Sequence, residues 1–355
     1  MNFKEHFQRK RGLAVPGTCD ILQTTTQLTR QDDLPIFDHG LDPALNASFP
    51  YYGESMAILA ALIFSWTSVF FTTAGQRLGV TTVNLLRLPG AALCLGSMHL
   101  FLYGSIWPES LAWQDQVWIG LSGVAGLAIG DSALFRAFTL VGPRRSMTMM
   151  ALAPVYTTII AWGLLGEHLN LWAITGIIVV IAGVMTATMG RDKGTGKFGD
   201  LPRKVLKTGL LLALLGSLGQ GVGSVLAKMG MTGASSGSEG VDPLGATLIR
   251  LTWATAFYWL AVVPRLDIRG TLRGLRDRRG VNALIVAIFM GPFVSVWISL
   301  VAIKNTEAGI AQVLLGMVPI FVVVPAWLVY RDRPSPLSLF GIAIAVGGGA
   351  LIFLR

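Results

Sequence analysis

Three ionisable side chains lie inside long apolar runs of this sequence. Asp131 occurs in "LAIGDSALFRAF", and Arg87 and Arg250 occur in the similar stretches "LLRLPGA" and "LIRLTWA". A charged group in an apolar segment is costly unless it faces a partner or water, so such residues indicate functional sites. We predict that Asp131 accepts a proton or anchors a cation. The alternative is a structural salt bridge to Arg136 or Arg87.

The two arginines occupy matching places in the two halves of the chain. They are suited to binding an anionic substrate; the competing interpretation is that they reach lipid headgroups or tie the halves together. Ligand pockets combine aromatic walls with a few placed polar groups. Five more residues in apolar runs fit that description, with ordinary core packing as the alternative: Trp66, Gln220, Ser295, Trp297 and Gln312.

The elements that position these residues follow from the composition. Hydrophobic residues make up 53% of the 355 residues, charged residues only 13%, and the mean hydropathy is +0.62. Soluble domains carry about 25% charged residues. The apolar runs are roughly 20 residues long, which is the length that crosses a bilayer as a helix. The sequence therefore predicts an all-α polytopic membrane protein surrounded by the lipid bilayer.

The apolar runs form ten predicted transmembrane helices. Their limits are 54–74, 81–103, 117–139, 146–166, 170–189, 207–229, 244–264, 281–302, 308–330 and 336–354. Residues 1–52 are polar and predict a disordered tail, with translation from Met56 as an alternative. The net charge of +9 is spread over short loops, so it indicates topology signals and headgroup contacts. No contiguous basic face of the kind that binds nucleic acid is predicted.

The same pattern occurs twice, 165 positions apart. The stretch "LAPVYTTIIAWGLLGEHLN" aligns with "MVPIFVVVPAWLVYRDRPS". The alignment pairs Pro154 with Pro319 and Glu167 with Asp332. The period spans five helices. Because five is odd, the second copy enters the membrane from the opposite side, which makes an inverted repeat typical of secondary transporters.

Residues 133–184 and 300–352 resemble two copies of the EamA repeat of the drug/metabolite transporter superfamily. The resemblance lies in the order proline, apolar run, acidic residue, apolar run and glycine, and it extends over about residues 54 to 354. It implies a ten-helix carrier with repeats at 54–189 and 207–355, joined by a basic loop at 190–206. It also implies a permease for small metabolites or drugs, often an exporter, in a bacterial inner membrane.

We predict structural roles for the paired prolines and the paired acidic residues. A proline inside a span frees a backbone carbonyl, which is tolerated where protein or a water-lined cavity satisfies it. Glu167 and Asp332 are predicted to cap the helix that follows each of them, with substrate binding as the alternative. Pro154 and Pro319 are predicted to lie inside spans four and nine.

The orientation in the membrane receives two opposite predictions. Loops after the odd-numbered spans carry most of the Lys and Arg residues, so the charge rule places both termini outside the cytoplasm. The family resemblance implies that both termini lie inside. We favour the charge rule slightly, because it concerns this chain.

No catalytic motif, phosphate loop or zinc-type cluster is evident, so neither an enzyme nor a cofactor or metal is predicted. The predicted function is a secondary transporter of a small organic molecule, coupled to protons or to exchange, as a monomer or homodimer. The alternative is a non-transporting scaffold subunit of a lipid-modifying assembly. A carrier predicts a water-accessible cavity at Asp131, whereas a scaffold predicts a dry interior.

Overall fold

A computed structural model gives the fold of the chain. It describes residues 51–108, 111–150, 152–189, 202–234, 236–265, 275–321, 324–325, 328 and 336–353. Residues 1–50 of the predicted tail, residues 190–201 of the predicted basic connecting loop, and Asp332 lie outside these residues. The last residues of that predicted loop, 203–206, instead belong to the helix Arg203–Met231. The described residues are helical and contain no strand, and the protein is an all-α polytopic membrane protein.

The first repeat contains six helices and one π-helical turn. Its helices are α1 (Tyr52–Leu78), α2 (Val80–Tyr103), α3 (Trp113–Gly123), α4 (Asp131–Met150), α5 (Ala153–Leu165) and α6 (Leu171–Met189). The first π segment, Val124–Gly130, joins α3 to α4 without a break.

The second repeat has the same plan. Its helices are α7 (Arg203–Met231), α8 (Pro243–Val262), α9 (Arg278–Ile288), α10 (Val296–Asn305), α11 (Ala308–Leu315), α12 (Val318–Phe321) and α13 (Pro336–Phe353). The second π segment, Phe289–Ser295, joins α9 to α10, and a 3-10 turn, Val263–Arg265, follows α8. Five continuous helical stretches in the described residues are long and apolar enough to cross a membrane.

The structure reproduces the 165-residue period in five pairs of elements. The helix α9 begins 165 residues after α3, and the second π segment begins 165 residues after the first. The same offset relates the starts of α10 to α4, α12 to α5, and α13 to α6. The two copies therefore share helix boundaries and π-helical turns, which only a common backbone plan explains.

Spans four and nine are broken just before their prolines. The helix α4 runs on to Met150, and α5 begins at Ala153 with Pro154 in its first turn. Pro319 likewise lies in the first turn of α12. The prediction that Pro154 and Pro319 lie inside uninterrupted helices is therefore wrong. In the first turn the missing N–H has no intrahelical acceptor anyway, so the proline starts a helix without losing a bond. Interior prolines occur at Pro89 in α2, at Pro143 in α4 and at Pro292 in the second π segment.

Large apolar side chains cover the outer surfaces of the helices. Phe101 is 86% exposed, Leu171 80% and Leu260 78%. In water such a surface would be unfavourable, whereas lipid tails solvate it. The interior instead contains small residues and paired polar groups, which is the arrangement that allows helices to approach each other in a bilayer.

Candidate functional site

Asp131 begins α4 directly after the first π segment. Its backbone N–H donates to the carbonyl of Gly126, five residues earlier, which closes the π turn. Single π turns of this kind are frequent at functional sites. The Asp131 side chain is buried and both of its oxygens are occupied. Oδ2 accepts from Nη2 of Arg87 at 2.6 Å, and Oδ1 accepts from Nε2 of Gln220 at 2.8 Å.

Glycines on the first π segment and on α7 bring the two repeats together at this point. A Cβ atom placed on Gly219 would lie 2.9 Å from the Cα atom of Gly130, and one on Gly223 would lie 3.2 Å from that of Gly126. These glycines therefore allow close packing of the two helices. Their close contact is what allows Gln220 of α7 to reach Asp131.

Arg87 reaches Asp131 from α2 of the same repeat. Its Nε atom donates to Oδ1 of Asn84 at 3.0 Å, and its guanidinium carbon lies 5.1 Å from the centroid of the Phe135 ring. The residue is 6% exposed, so it does not extend to lipid headgroups. Of the two salt bridges considered for Asp131, the one with Arg87 forms. Arg136 lies on an exposed part of α4.

Arg250 lies on α8, beside the first π segment. It is 4% exposed, and its Nε atom is buried without a hydrogen-bond partner. Asp131 attracts the guanidinium group electrostatically. The Nη2 atom lies 3.4 Å from the position of a Cβ atom on Gly126, so the glycine leaves room for this side chain. Like Arg87, Arg250 is too buried to contact headgroups.

The resulting cluster carries an excess positive charge. We call Arg87, Asp131, Gln220 and Arg250 the polar cluster; it contains two guanidinium groups and one carboxylate. A buried charge without a counter-charge is costly. The cluster also draws two members from each repeat, so any change in the relative position of the repeats alters these contacts.

Gln312 and Ser295 have different surroundings. Gln312 is joined to the polar cluster through Ser224, whose hydroxyl donates to Oε1 of Gln312 at 2.8 Å. Ser224 lies one turn beyond Gln220 on α7 and also contacts its carbonyl. Ser295 is fully buried and donates to the carbonyl of Met290 at 2.8 Å, within the second π segment. Its contact is therefore local.

The two predicted tryptophans are not partners of Asp131. Trp66 lies on α1 and is 38% exposed. Trp297 packs in an apolar cluster that includes Tyr258 and Phe293. The position of Trp297 therefore agrees with core packing, which was the alternative to a role in ligand binding.

A second set of polar contacts joins the repeats near the start of α1. Glu167 Oε1 lies 2.5 Å from Nζ of Lys228, and its Oε2 accepts from the backbone N–H of Ala308 at 2.9 Å. Lys228 Nζ also donates to the carbonyl of Thr306 at 2.5 Å. The Thr306 hydroxyl donates to Oε1 of Glu54 at 2.9 Å. We call these five residues the cross-repeat latch.

The predicted role of Glu167 is therefore corrected. The helix that follows it, α6, is capped by Asn170, whose side-chain oxygen accepts from the N–H of Ala173 at 2.8 Å. Glu167 instead accepts from the first residue of α11, which belongs to the other repeat. A carboxylate at that position also opposes the positive end of the helix dipole.

Several residues of these networks were not predicted from the sequence: Asn84, Ser224, Lys228, Glu54 and Thr306. Lys228 lies near the end of a 29-residue helix, where a cation is ordinary and carries little signal. The one available signal was that Lys228 was one of few cations outside the basic loops.

A cavity of about 650 Å³ opens where α2 ends and α3 begins. Its lining includes Leu100, Ile106, Trp107 and Gln116. Asp131 does not line this cavity. In this conformation Arg87 and Gln220 occupy both carboxylate oxygens of Asp131.

Metal binding finds no support in the described part of the chain. No group of three or more His, Cys, Asp or Glu side chains is placed there to hold an ion.

Comparisons with known proteins agree with the repeat. The profile of the EamA-like transporter family matches residues 51–189 and 207–354. A solved structure titled "Crystal structure of protein" is 18% identical, covers 84% of this chain and 97% of its own, and superposes with a TM-score of 0.62. At that identity the likeness concerns the fold alone. No curated protein matches the sequence.

Proposed function

Because the chain belongs to the EamA-like transporter family, we propose that it exports a small organic metabolite or drug-like compound as a secondary transporter. Its two repeats would expose a central site to each side of the membrane in turn. The scaffold alternative is not favoured, since the family consists of transporters. We further propose a bacterial inner membrane as its location, and a monomer or homodimer as its assembly.

This proposal rests on the observation that both repeats contribute residues to the polar cluster. Arg87 and Asp131 come from the first repeat, and Gln220 and Arg250 come from the second. In transporters built from inverted repeats, substrate and coupling ions bind near the midplane between the halves. A site shared in this way changes shape whenever one half moves against the other.

Asp131 is the proposed coupling residue. Its carboxylate holds Arg87 and Gln220 at the same time, so protonation of Asp131 would release the Arg87 guanidinium and weaken the contact between the repeats. A cation would have to displace one of these two donors to reach the carboxylate. Of the two roles, we therefore propose proton acceptance for Asp131. Exchange of two substrates remains the alternative mode of coupling.

Two cross-repeat contacts are suited to act as gates. The cross-repeat latch includes Glu54 at the start of α1, whereas Arg77 at the other end of α1 pairs with Asp277 at 2.9 Å. A helix of 27 residues is about 40 Å long. The two contacts therefore lie at opposite ends of a helix that crosses the bilayer, and alternating access would require them to open at different times.

Flux through reconstituted protein tests the proposal. Cys19 and Cys94 are replaced by serine, and cysteine pairs are introduced at Arg77 with Asp277 or at Glu167 with Ala308. Proteoliposomes are then loaded with labelled amino acids, nucleosides, sugars, polyamines, organic acids and cationic drugs. We expect saturable efflux of at least one class. Joining either pair with a short thiol crosslinker should abolish it, and a reducible crosslinker should allow recovery.

The matched control joins two positions within one repeat, Gly75 and Val80, which flank the α1–α2 junction. That crosslink should leave flux unchanged, because the repeats stay free to move. Absence of saturable flux for every class, with well-folded protein, would contradict the transport proposal. It would support the scaffold alternative instead.

A further inference from the structure

We propose that the polar cluster binds the carboxylate of an organic monoanion with an apolar body, and that Arg250 is the residue that receives it. This inference rests on the proposed transport function and names its substrate class. It starts from the state of the Arg250 guanidinium. Arg250 is 96% buried, since its exposed fraction is 4%, and its Nε atom has no hydrogen-bond partner.

The two arginines differ in how far their charge is neutralised. Arg87 holds a carboxylate oxygen of Asp131, the side-chain oxygen of Asn84 and the face of the Phe135 ring. In the described part of the chain, Arg250 has no hydrogen bond to a protein acceptor. Both oxygens of Asp131 are already occupied, so Arg250 gains only its longer-range attraction.

The internal repeat shows what Arg250 lacks. The helices α2 and α8 begin 163 residues apart, and so do Arg87 and Arg250. The partner of Arg87 is Asp131, at the start of α4. The residue at the equivalent place, the start of α10, is Val296. The second copy thus retains the arginine without the carboxylate, and a ligand carboxylate would complete the pair.

The charge of the cluster selects a monoanion. Two guanidinium groups and one carboxylate leave one positive charge, which a single carboxylate neutralises. A guanidinium group binds a carboxylate through two parallel hydrogen bonds, and such a pair is strong where water is excluded. On the same helix as Arg250, the residues Leu251, Ala254 and Tyr258 belong to one buried cluster of apolar and aromatic side chains. They suit an organic acid better than a strongly hydrated phosphate.

Binding to purified full-length protein at pH 7 tests the proposal without any flux measurement. The probes are acetate, benzoate and 3-phenylpropionate, each compared with its uncharged amide, and methyl phosphate. We expect at least one carboxylate to bind about tenfold more tightly than its amide, as judged by calorimetry and by the shift in melting temperature. Equal binding of acid and amide for all three pairs would overturn the proposal. So would binding of methyl phosphate alone.

The variants separate an anion site from a structural role. Arg250→Gln should weaken carboxylate binding at least about tenfold. Asp131→Asn should strengthen it, because it removes the competing negative charge and leaves two positive groups. Arg279→Gln, at an exposed position, is the matched control and should change nothing. If Arg250 had only a structural role, the two substitutions would not change carboxylate affinity in opposite directions. Unchanged carboxylate affinity in Arg250→Gln would refute the assignment of Arg250 as the anion site.

Two outcomes distinguish this inference from the transport proposal. Tight carboxylate binding without flux in proteoliposomes would preserve the anion site and contradict transport. Saturable flux of an uncharged or cationic compound, with no preference for any acid over its amide, would preserve transport and overturn the anion site. The wild type and Asp131→Asn both retain Arg250, so the difference in their carboxylate affinities tests the proposal even if Arg250→Gln fails to fold.

Discussion

At the scale of single residues, Asp131 is the buried counter-charge on which the polar cluster depends. The side chains of Arg87 and Asp131 are only 8% and 12% exposed. Removing one member of a buried ion pair leaves the other charge uncompensated, which costs about 3–5 kcal/mol in soluble proteins. We therefore expect Asp131→Asn to lower the melting temperature of the ligand-free protein clearly, as measured by differential scanning fluorimetry in detergent.

The double variant Asp131→Asn/Arg87→Gln serves as the control for this prediction. It removes both charges, so its loss of stability should be smaller than the sum of the losses in the two single variants. Strict additivity would show that the two side chains do not interact in the membrane-like environment. This double-mutant cycle measures only stability, so its outcome does not depend on any substrate.

The sequence made Asp131, Arg87 and Gln220 visible because each places a polar group inside an apolar run. It did not show which arginine would pair with Asp131, since that depends on how α2 packs against α4. Lys228 and Glu54 escaped notice because charges near helix ends are ordinary. Their importance follows from contacts across the repeats, which no local pattern encodes.

At the scale of helices, backbone contact between α6 and α13 depends on two equivalent glycines. A Cβ atom on Gly183 would lie 2.4 Å from the N atom of Ala345, and one on Gly348 would lie 2.6 Å from that of Val180. Backbone atoms cannot yield as a flexible side chain can. We expect Gly348→Ala to destabilise the protein by about 1–3 kcal/mol, seen as a lower melting temperature.

The neighbouring residue Gly347 provides a matched control in the same helix. Nothing lies within 4 Å of a Cβ atom placed there. Gly347→Ala should therefore be neutral or stabilise the protein by up to about 1 kcal/mol, through the better helix propensity of alanine. Equal effects of the two substitutions would show that α6 and α13 do not pack this closely.

The start of α9 gives a prediction about pH. The hydrogen bond from Arg77, together with backbone N–H groups of Gly280 and Arg279, holds the pKa of Asp277 below its usual range. A lowered pKa in the folded state adds stability at neutral pH, and this stability is lost as the pH falls through the lowered value. Asp277→Asn should lower the melting temperature slightly at pH 7, because the pair is exposed to solvent.

The pH series decides whether charge is the cause. The difference between wild type and Asp277→Asn should shrink below about pH 4, the ordinary pKa range of aspartate. It should also shrink in high salt, which screens an exposed pair. Because asparagine retains an oxygen that can accept from Arg279 and Gly280, the helix cap is kept in the variant. An effect that is constant with pH would therefore contradict the assignment of the difference to charge.

Element boundaries were predictable where the apolar pattern was continuous. The predicted span 336–354 corresponds to α13 at Pro336–Phe353, and 170–189 corresponds to α6 at Leu171–Met189. The breaks before Pro154 and Val318 were not predicted, because apolar composition continues across them. Hydropathy reports whether a segment suits lipid; it does not report where a helix is interrupted.

At the scale of the whole molecule, the two repeats meet in the polar cluster and in the cross-repeat latch. The sequence predicted the repeat and its inversion because five helices separate the copies. It could not predict the latch, since its acid, lysine and backbone N–H come from segments far apart along the chain. The latch joins the repeats one helical turn beyond Ser224 on α7.

The last prediction concerns opening of the latch. Ser224 is 4% exposed and lies one helical turn before Lys228 on α7. In a Cys19→Ser/Cys94→Ser background, Ser224→Cys should react slowly with a membrane-impermeant maleimide. Adding Glu167→Gln removes the charge that holds Lys228 and weakens the acceptor for Ala308, so we expect labelling several-fold faster. Arg77→Gln, at the opposite end of α1, should not accelerate it. Equal labelling in all three proteins would mean that the latch does not control access to the polar cluster from this side.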